Sequence, residues 1–165
     1  MVEEWQQIRS FPTYSVSDTG FVRNDVTERR MKLGQNQHGV VNVGLMRNGI
    51  QFKRSVAVLV AQAFLVPPRY KMFDTPINCD GDRHNNHVEN ILWRPKWFAR
   101  KYHAQFRTEP DGEAIPVEDI NTFERHPSTW HAAVAYGLLE EDIRLSLASE
   151  DEIWPTYQSF RVAED

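Results

Sequence analysis

The chain has 165 residues, of which 41% are hydrophobic, and a formal net charge of −4. That length supports one moderate hydrophobic core or a few small modules. The N-terminus lacks the basic start and apolar run of a signal peptide, and the apolar stretch 56–66 is too short to span a bilayer. The single cysteine, Cys79, excludes an intramolecular disulfide. We therefore expect a soluble, cytoplasmic protein with no membrane partner.

The charge is distributed unevenly along the chain. Residues 1–107 contain 16 Lys and Arg against 9 Asp and Glu, which gives +7, whereas residues 108–165 contain 3 against 14, which gives −11. A basic segment favours a polyanionic partner, because neutralising phosphates releases condensed counterions. The alternative is that both charge runs are solvated surface. The abruptness of the change favours a nucleic-acid partner for the first two-thirds.

The first segment, residues 1–66, predicts short strands closed by a helix. Turn-forming residues at 17–20 follow an alternating stretch, and a better-marked hairpin alternates at 41–45, turns at Asn48-Gly49 and returns through 51–54. Ser55 then has the chemistry of a helix N-cap before the apolar run that ends at Phe64. We expect a small β-rich module here.

The second segment, residues 67–107, combines a polar loop with a basic helix. The stretch at 76–93, PINCDGDRHNNHVENILW, is dense in Asn, Asp and Gly, which favour a structured loop. Pro95 suits the first turn of a helix reaching about Phe106. For Trp97 and Phe98 on that helix we expect core packing.

The third segment, residues 108–165, predicts a small hairpin and a pair of short helices. Residues 108–116 are the best linker candidate, and residues 116–126 have the pattern of a hairpin. Ser128 is placed to cap a helix ending at Gly137, and a second helix is expected over about 140–148. Two short helices joined through a glycine form a helix-turn-helix pattern.

Three consecutive pieces of the chain resemble the phage-type HNH homing endonucleases. Residues 3–24 (EEWQQIRSFPTYSVSDTGFVRN) with LVAQAF at 59–64 resemble the nuclease-associated DNA-binding module that precedes many phage HNH domains. Residues 80–93 (DGDRHNNHVENILW) resemble the HNH core, whose usual form is N-H-x-D-G-N-x-x-N-N-x-x-x-N-L-x-W. Residues 116–147 look like the helix-turn-helix module often fused behind it. The resemblance implies an α+β fold with a ββα-metal-like core and, for a phage-encoded protein, the host-cell cytoplasm.

The resemblance also implies a catalytic centre in which a histidine activates water and Asp, Asn or His side chains hold a divalent cation such as Mg²⁺. Six positions agree with the family pattern: Asp80, Gly81, Asn85, Asn86, Asn90 and Trp93. The base position, however, is Asn78, the first ligand position is Ile77, and the helix ligand position is Ala99. Losing the base alone costs on the order of 10²–10⁴ in rate. We therefore expect a degenerate site with no metal or cofactor.

A rearranged site is the first alternative. His84, His87 and His103 remain available beside Asp80 and Asp82, and His103 lies one helical turn beyond Ala99. In that case Mg²⁺ or another divalent cation would be the cofactor. Otherwise we expect His84 and His87 on a polar loop and His103 on the helix surface. The catalytic candidates are Asn78, Asn90, Asp80, His84, His87 and His103.

The favoured function is binding of double-stranded DNA with lost or weak cleavage. The alternatives are an active metal-dependent nicking enzyme and a phage regulatory protein that binds a host or phage protein through its acidic residues 108–165. Glu140, Glu141 and Asp142 motivate the last, since they would repel phosphates where a recognition helix should approach DNA. The DNA-contact candidates, chosen by charge, are Arg23, Arg29, Arg30, Lys32, Arg47, Lys53, Arg54, Lys96, Arg100, Lys101 and Arg107.

Overall fold

The structure, a computed structural model, describes residues 2–108, 110 and 112–164. The chain divides into two compact units, one reaching Ala99 and the other starting at Arg100. Residues 109 and 111 of the predicted linker lie outside the described residues. The predicted division into 1–66, 67–107 and 108–165 stays a prediction. No helix in the described part of the chain is long and apolar enough to cross a membrane.

Two antiparallel sheets form most of the first unit. The first sheet follows chain order and contains β1 (Trp5–Ile8), β2 (Phe11–Ser17), β3 (Val22–Asn24) and β4 (Arg29–Arg30). The second sheet also follows chain order and contains β5 (Leu33–Gln35), β6 (Val41–Arg47) and β7 (Ile50–Ser55). Asn48 and Gly49 join β6 to β7 with φ angles of 52° and 76°, as the predicted tight turn requires.

Helix α1 (Val56–Phe64) closes these sheets, and the Ser55 hydroxyl accepts the backbone N–H of Val58 as the predicted cap. The helix packs its apolar face on the alternating inward side chains of β6, which include Val43 and Leu45. Burying such side chains contributes about 1.5–3 kcal/mol each. The alternation in β6 and the apolar run of α1 therefore supply the buried side chains that hold the module together.

A ββα unit follows. It consists of β8 (Thr75–Asn78), which pairs antiparallel with β9 (Ile91–Arg94), and α2 (Lys96–Gln105). The long loop between the strands ends in a short 3-10 helix over Val88–Asn90. This arrangement and the positions of its elements agree with the prediction for the HNH-like core.

Two expectations for α2 were wrong. Trp97 was expected in the core but is half exposed, and His103 was expected on the helix surface but retains only 8% exposure. The buried side of the helix carries Phe98, Ala99, Tyr102 and His103. Positions separated by four residues share a helix face. Trp97 therefore shares the exposed face of Lys101, and His103 shares the buried face of Ala99.

The second unit combines a small sheet with two helices. The sheet order is β11 (Arg125–His126), β10 (Val117–Asp119) and β12 (Phe160–Val162), all antiparallel. The sequence did not predict β12. Helix α3 (Thr129–Tyr136) begins at the Ser128 cap and ends at Gly137, whose φ is 64°. Helix α4 (Glu140–Ser146) is shorter than expected.

Apolar side chains of the two helices and of the link between them form the core of this unit, together with residues of β10 and β12. Small antiparallel sheets and helices in both units confirm the predicted α+β class. The assignment of α3 and α4 as a helix-turn-helix stays a prediction.

Candidate functional site

The HNH-like loop begins at Asn78, the position that the resemblance assigns to the general base. Asn78 is almost fully buried, and its amide nitrogen donates to the backbone oxygen of Asn85 and to Oδ1 of Asn86, both at 2.9 Å. An asparagine has no basic lone pair near neutral pH, and here its amide nitrogen is used to hold the loop. Asn78 therefore acts as a structural residue in this site.

Asp80 and Asn90 join the two ends of the same loop. Nδ2 of Asn90 donates to Oδ1 of Asp80 at 2.8 Å and to the backbone oxygen of Asn85 at 2.8 Å, while Oδ1 of Asn90 accepts the backbone N–H of Asp80 at 3.0 Å. Nδ2 of Asn85 donates to the second Asp80 oxygen at 2.7 Å. The residues that agree with the family pattern thus account for the shape of the loop.

The loop also rests on the turn between β2 and β3. The backbone N–H of Val88 donates to the Asp18 carbonyl at 2.7 Å. Gly20, at a φ of 92°, lies against Asn86 so closely that a Cβ at this position would be 2.9 Å from the Asn86 Cβ. The predicted turn at 17–20 therefore has a second role as the seat of the HNH-like loop.

The histidines predicted as candidates have different local surroundings. His84 is exposed on the loop, as predicted for the case without a metal, and His87 caps the 3-10 helix by accepting the backbone N–H of Glu89 on Nδ1 at 3.3 Å. His103 belongs to α2 in the second unit. Among residues 2–108, 110 and 112–164, no three His, Cys, Asp or Glu side chains are grouped so as to hold a metal ion.

The side chains at the expected metal positions do not fit a divalent cation. Ile77 is fully buried in β8 and Ala99 is buried in α2, and neither offers an oxygen or nitrogen ligand. The neighbouring Asp80 carboxylate already accepts hydrogen bonds from Asn85, Asn90 and the backbone N–H of Asp82.

Cys79, between the base position and Asp80, is not a nucleophile. Burial raises the pKa of its thiol to about 11, against a smaller opposing effect of Arg94. At neutral pH the thiol is therefore protonated, and the thiolate is the reactive form. The Cys79 side chain is partly buried.

Two of the basic candidates of the first sheet, Arg23 and Arg30, are paired with acids. The guanidinium of Arg23 lies 4.4 Å from the Trp5 ring centroid and pairs with Asp25 at 2.9 Å. Arg30 lies 4.2 Å from the Phe21 ring centroid and pairs with Glu3 at 2.7 Å. Much of their positive charge is compensated within the protein, which weakens their case as phosphate contacts.

The second sheet presents a different surface. The outward side chains of β6 and β7 alternate with the buried ones and include Asn42 and Gln51, with Gly44 between them. A concavity of about 180 Å³ on this face is lined by Lys32, Gly34, Gln35, Asn36, Asn42, Val43, Gly44, Gln51 and Lys53. We call it the amide–lysine face. Charge reasoning named its two lysines but missed its amides, which the alternation in β6 could have indicated.

Among the described residues, those that line this concavity include no acid, and the segment that supplies them is basic. Residues 29–73 contain eight Lys and Arg and no Asp or Glu. Arg29, Lys32 and Lys53 are exposed within this stretch. Side-chain amides are suited to paired hydrogen bonds with base edges, and lysines to phosphates, so this surface has the composition of a nucleic-acid interface.

The remaining candidates follow α2. Lys96 lies in the first unit, whereas Arg100, Lys101 and Arg107 lie in the second, and all four side chains are exposed. Lys101 lowers the pKa of Asp142, but burial and Glu141 outweigh it and raise that pKa overall. Lys101 of α2 thus interacts electrostatically with Asp142 of α4 within the second unit.

Two acids of the second unit, Glu118 and Glu140, have structural roles. Glu118 in the central strand binds Arg161 on one neighbouring strand and Arg125 on the other, and these hydrogen bonds lower its pKa. Glu140 at the start of α4 accepts the Thr129 hydroxyl at 2.7 Å and pairs with Arg144. These contacts account for part of the −11 charge without a partner.

Comparisons with known proteins agree with the predicted resemblance. The NUMOD4 motif, which is associated with HNH endonucleases, matches residues 3–46. A protein of Acanthamoeba polyphaga mimivirus, described as an uncharacterized HNH endonuclease, is 30% identical over 93 residues, which are 56% of this chain and 27% of that protein. The chain therefore matches about a quarter of the length of this relative.

A solved structure shares the fold. It is described as DNA binding and cleavage by the HNH homing endonuclease I-HmuI, and it is 22% identical, with a TM-score of 0.55 over 98% of this chain and 99% of that chain. The predicted resemblance to HNH homing endonucleases is thus confirmed, in sequence over part of the chain and in fold over nearly all of it.

Proposed function

We propose that the chain binds double-stranded DNA through its first unit and cleaves it weakly or not at all. The observation that supports binding is the amide–lysine face, which lies within a stretch of eight basic and no acidic residues. The solved structure that shares its fold is described as binding and cleaving DNA.

The proposal that cleavage is lost rests on the HNH-like loop. The base position is an amide used for loop hydrogen bonds, and the two ligand positions are buried aliphatic side chains. Without a base or a metal ligand at these positions, the activation of water and the stabilisation of the leaving oxygen both lack a group to supply them.

The test is a binding and cleavage assay on the purified full chain. Binding of a fluorescent duplex is followed over a salt series, and nicking of supercoiled plasmid is followed with Mg²⁺, Mn²⁺ or EDTA. Contacts to five phosphates would give a slope of about −4.5 in log K against log salt. We expect salt-sensitive binding and no nicking. Binding that does not respond to salt would refute the DNA-binding proposal, and nicking that EDTA abolishes would refute the loss of cleavage.

The regulatory alternative, in which residues 108–165 bind a host or phage protein, stays a prediction, as do the phage origin and the cytoplasmic location. Its test is the recovery of one stoichiometric partner that is lost when those residues are deleted.

A further inference from the structure

Two basic residues at the edge of the second sheet differ from the others in the first unit. Arg54 lies in β7, an edge strand of its sheet, two residues after Phe52. Arg47 is the last residue of the neighbouring strand β6, next to the turn into β7. The Arg47 guanidinium carbon is 4.9 Å from the Phe52 ring centroid and 5.0 Å from that of Phe11. For Arg54 the corresponding distances are 5.2 and 5.3 Å.

The stacking fixes where the two guanidinium groups lie. Each group also donates one hydrogen bond to a backbone carbonyl, Arg47 to Ser10 at 3.1 Å and Arg54 to Lys53 at 3.0 Å. A guanidinium has five N–H donors, so each retains several for a ligand. A group that is already held in place loses less conformational entropy when it binds.

No carboxylate of the described residues compensates the charges of this pair. Within the described residues, neither Arg47 nor Arg54 forms an ion pair with a carboxylate, in contrast to Arg23 and Arg30, which stack on aromatic rings in the same way. Both pairs were predicted as phosphate contacts from charge alone. The structure divides them into one neutralised pair and one pair without a counter-charge.

Two positive groups near the same rings repel each other unless an anion lies between or beside them. The distances place the two guanidinium carbons no more than about 10 Å apart. Successive phosphates of one strand advance by about 3.4 Å along the duplex axis, so both arginines are within reach of neighbouring phosphates. Guanidinium groups also match phosphate oxygens in geometry.

We propose that Arg47 and Arg54 form a phosphate clamp that grips the DNA backbone at the edge of the second sheet, with Phe52 as its positioning residue. This inference rests on the proposed DNA-binding function and deepens it. The clamp is distinct from the amide–lysine face. The register pairs Phe52 and Arg54 with buried residues of β6, so their side chains lie on the other face of the sheet.

The test compares matched double variants of the full chain on one duplex over 50–200 mM salt. Arg47→Gln with Arg54→Gln keeps the polar side chains and their length. It should reduce the salt slope by about 1.8, since each phosphate contact contributes about 0.9. Between 50 and 200 mM salt, the factor by which this variant loses affinity should therefore be about tenfold smaller than the factor for the wild-type protein. The control, Arg23→Gln with Arg30→Gln, should leave the slope within about 0.5 of wild type, because those charges are already neutralised.

Phe52→Leu provides the test of positioning. It keeps both charges, so the slope should stay at the wild-type value while affinity falls severalfold, and thermal melts of each variant show whether it is folded. If the wild-type protein binds with a steep salt slope and the Arg47 and Arg54 double variant has the same slope, the clamp is overturned while DNA binding stands. Wild-type protein that does not bind refutes the proposed function itself. A free anion is the remaining possibility. If inorganic phosphate stabilises the wild-type protein more than chloride does at equal ionic strength, and the Arg47 and Arg54 variant loses this stabilisation but keeps the wild-type salt slope, the site binds a free anion and the DNA clamp is overturned.

Discussion

The hydrogen bonds of Asn90 provide a sharp test of the HNH-like loop, because the change Asn90→Asp replaces two donated hydrogen bonds with a negative charge. Nδ2 of Asn90 donates to Asp80 and to the backbone oxygen of Asn85, both at 2.8 Å. An aspartate has nearly the same shape but donates neither bond, and its oxygen would lie against the Asp80 carboxylate. The accepted bond from the Asp80 backbone N–H would survive.

The expected loss of stability has two parts. Two hydrogen bonds at about 1 kcal/mol each contribute about 2 kcal/mol. Two carboxylates at about 4 Å repel by up to about 4 kcal/mol near a protein surface. Asp80 is exposed, so solvent screening reduces this second part to about 1 kcal/mol. We therefore expect a loss of about 3 kcal/mol at pH 7.

The loss should also depend on pH. Repulsion raises the pKa of the new carboxyl in the folded state above its unfolded value, so the folded variant binds more protons than the unfolded one. Its stability relative to wild type should therefore recover as the pH falls towards 4 and decline as the pH rises. A protonated carboxyl can also donate one of the two lost hydrogen bonds.

Urea unfolding at pH 7 and pH 4.5, followed by the tryptophans of the first unit, measures both effects. The matched control is Asn24→Asp, because Oδ1 of Asn24 only accepts, from the backbone N–H groups of Val26 and Thr27 at 2.9 and 3.1 Å. An aspartate preserves both bonds, so this control should stay within about 0.5 kcal/mol of wild type. An Asn90 variant as stable as that control at pH 7 would show that the loop is not held by these bonds.

Three further predictions address the seat of the loop, the second unit and the lost centre. Gly20→Ala should destabilise the first unit by more than about 1 kcal/mol, measured by thermal unfolding, because its positive φ and its close contact both exclude a methyl group. Glu118→Gln should reduce the acid sensitivity of the second unit, because the lowered pKa of Glu118 provides stability above its unfolded pKa that is lost as pH falls through the folded value. The dependence of the melting temperature on pH between 7 and 3 should therefore become flatter. The triple variant Ile77→Asp, Asn78→His and Ala99→Asn should gain plasmid nicking that requires Mg²⁺ or Mn²⁺ and is abolished by EDTA; no nicking by folded triple variant would count against the residue mapping.

The sequence by itself determined the features that depend on local chemistry. The turn at Asn48-Gly49 needs left-handed dihedrals, and the Ser55 and Ser128 caps need a hydroxyl beside free backbone N–H groups, so these positions could be predicted and were confirmed. The same holds for the hydrogen bonds among the family-pattern residues Asp80, Asn85 and Asn90, because they join residues at fixed spacing within one loop.

Tertiary structure decided the features that depend on partners far away in the chain. Charge alone placed Arg30 and Arg47 in one class, and only the fold brought Glu3 to the first and the Phe11 ring to the second. The burial of His103 and the exposure of Trp97 likewise depend on which side of α2 meets other elements. An ion pair or a buried face is a property of two surfaces, and a single segment of sequence carries only one of them.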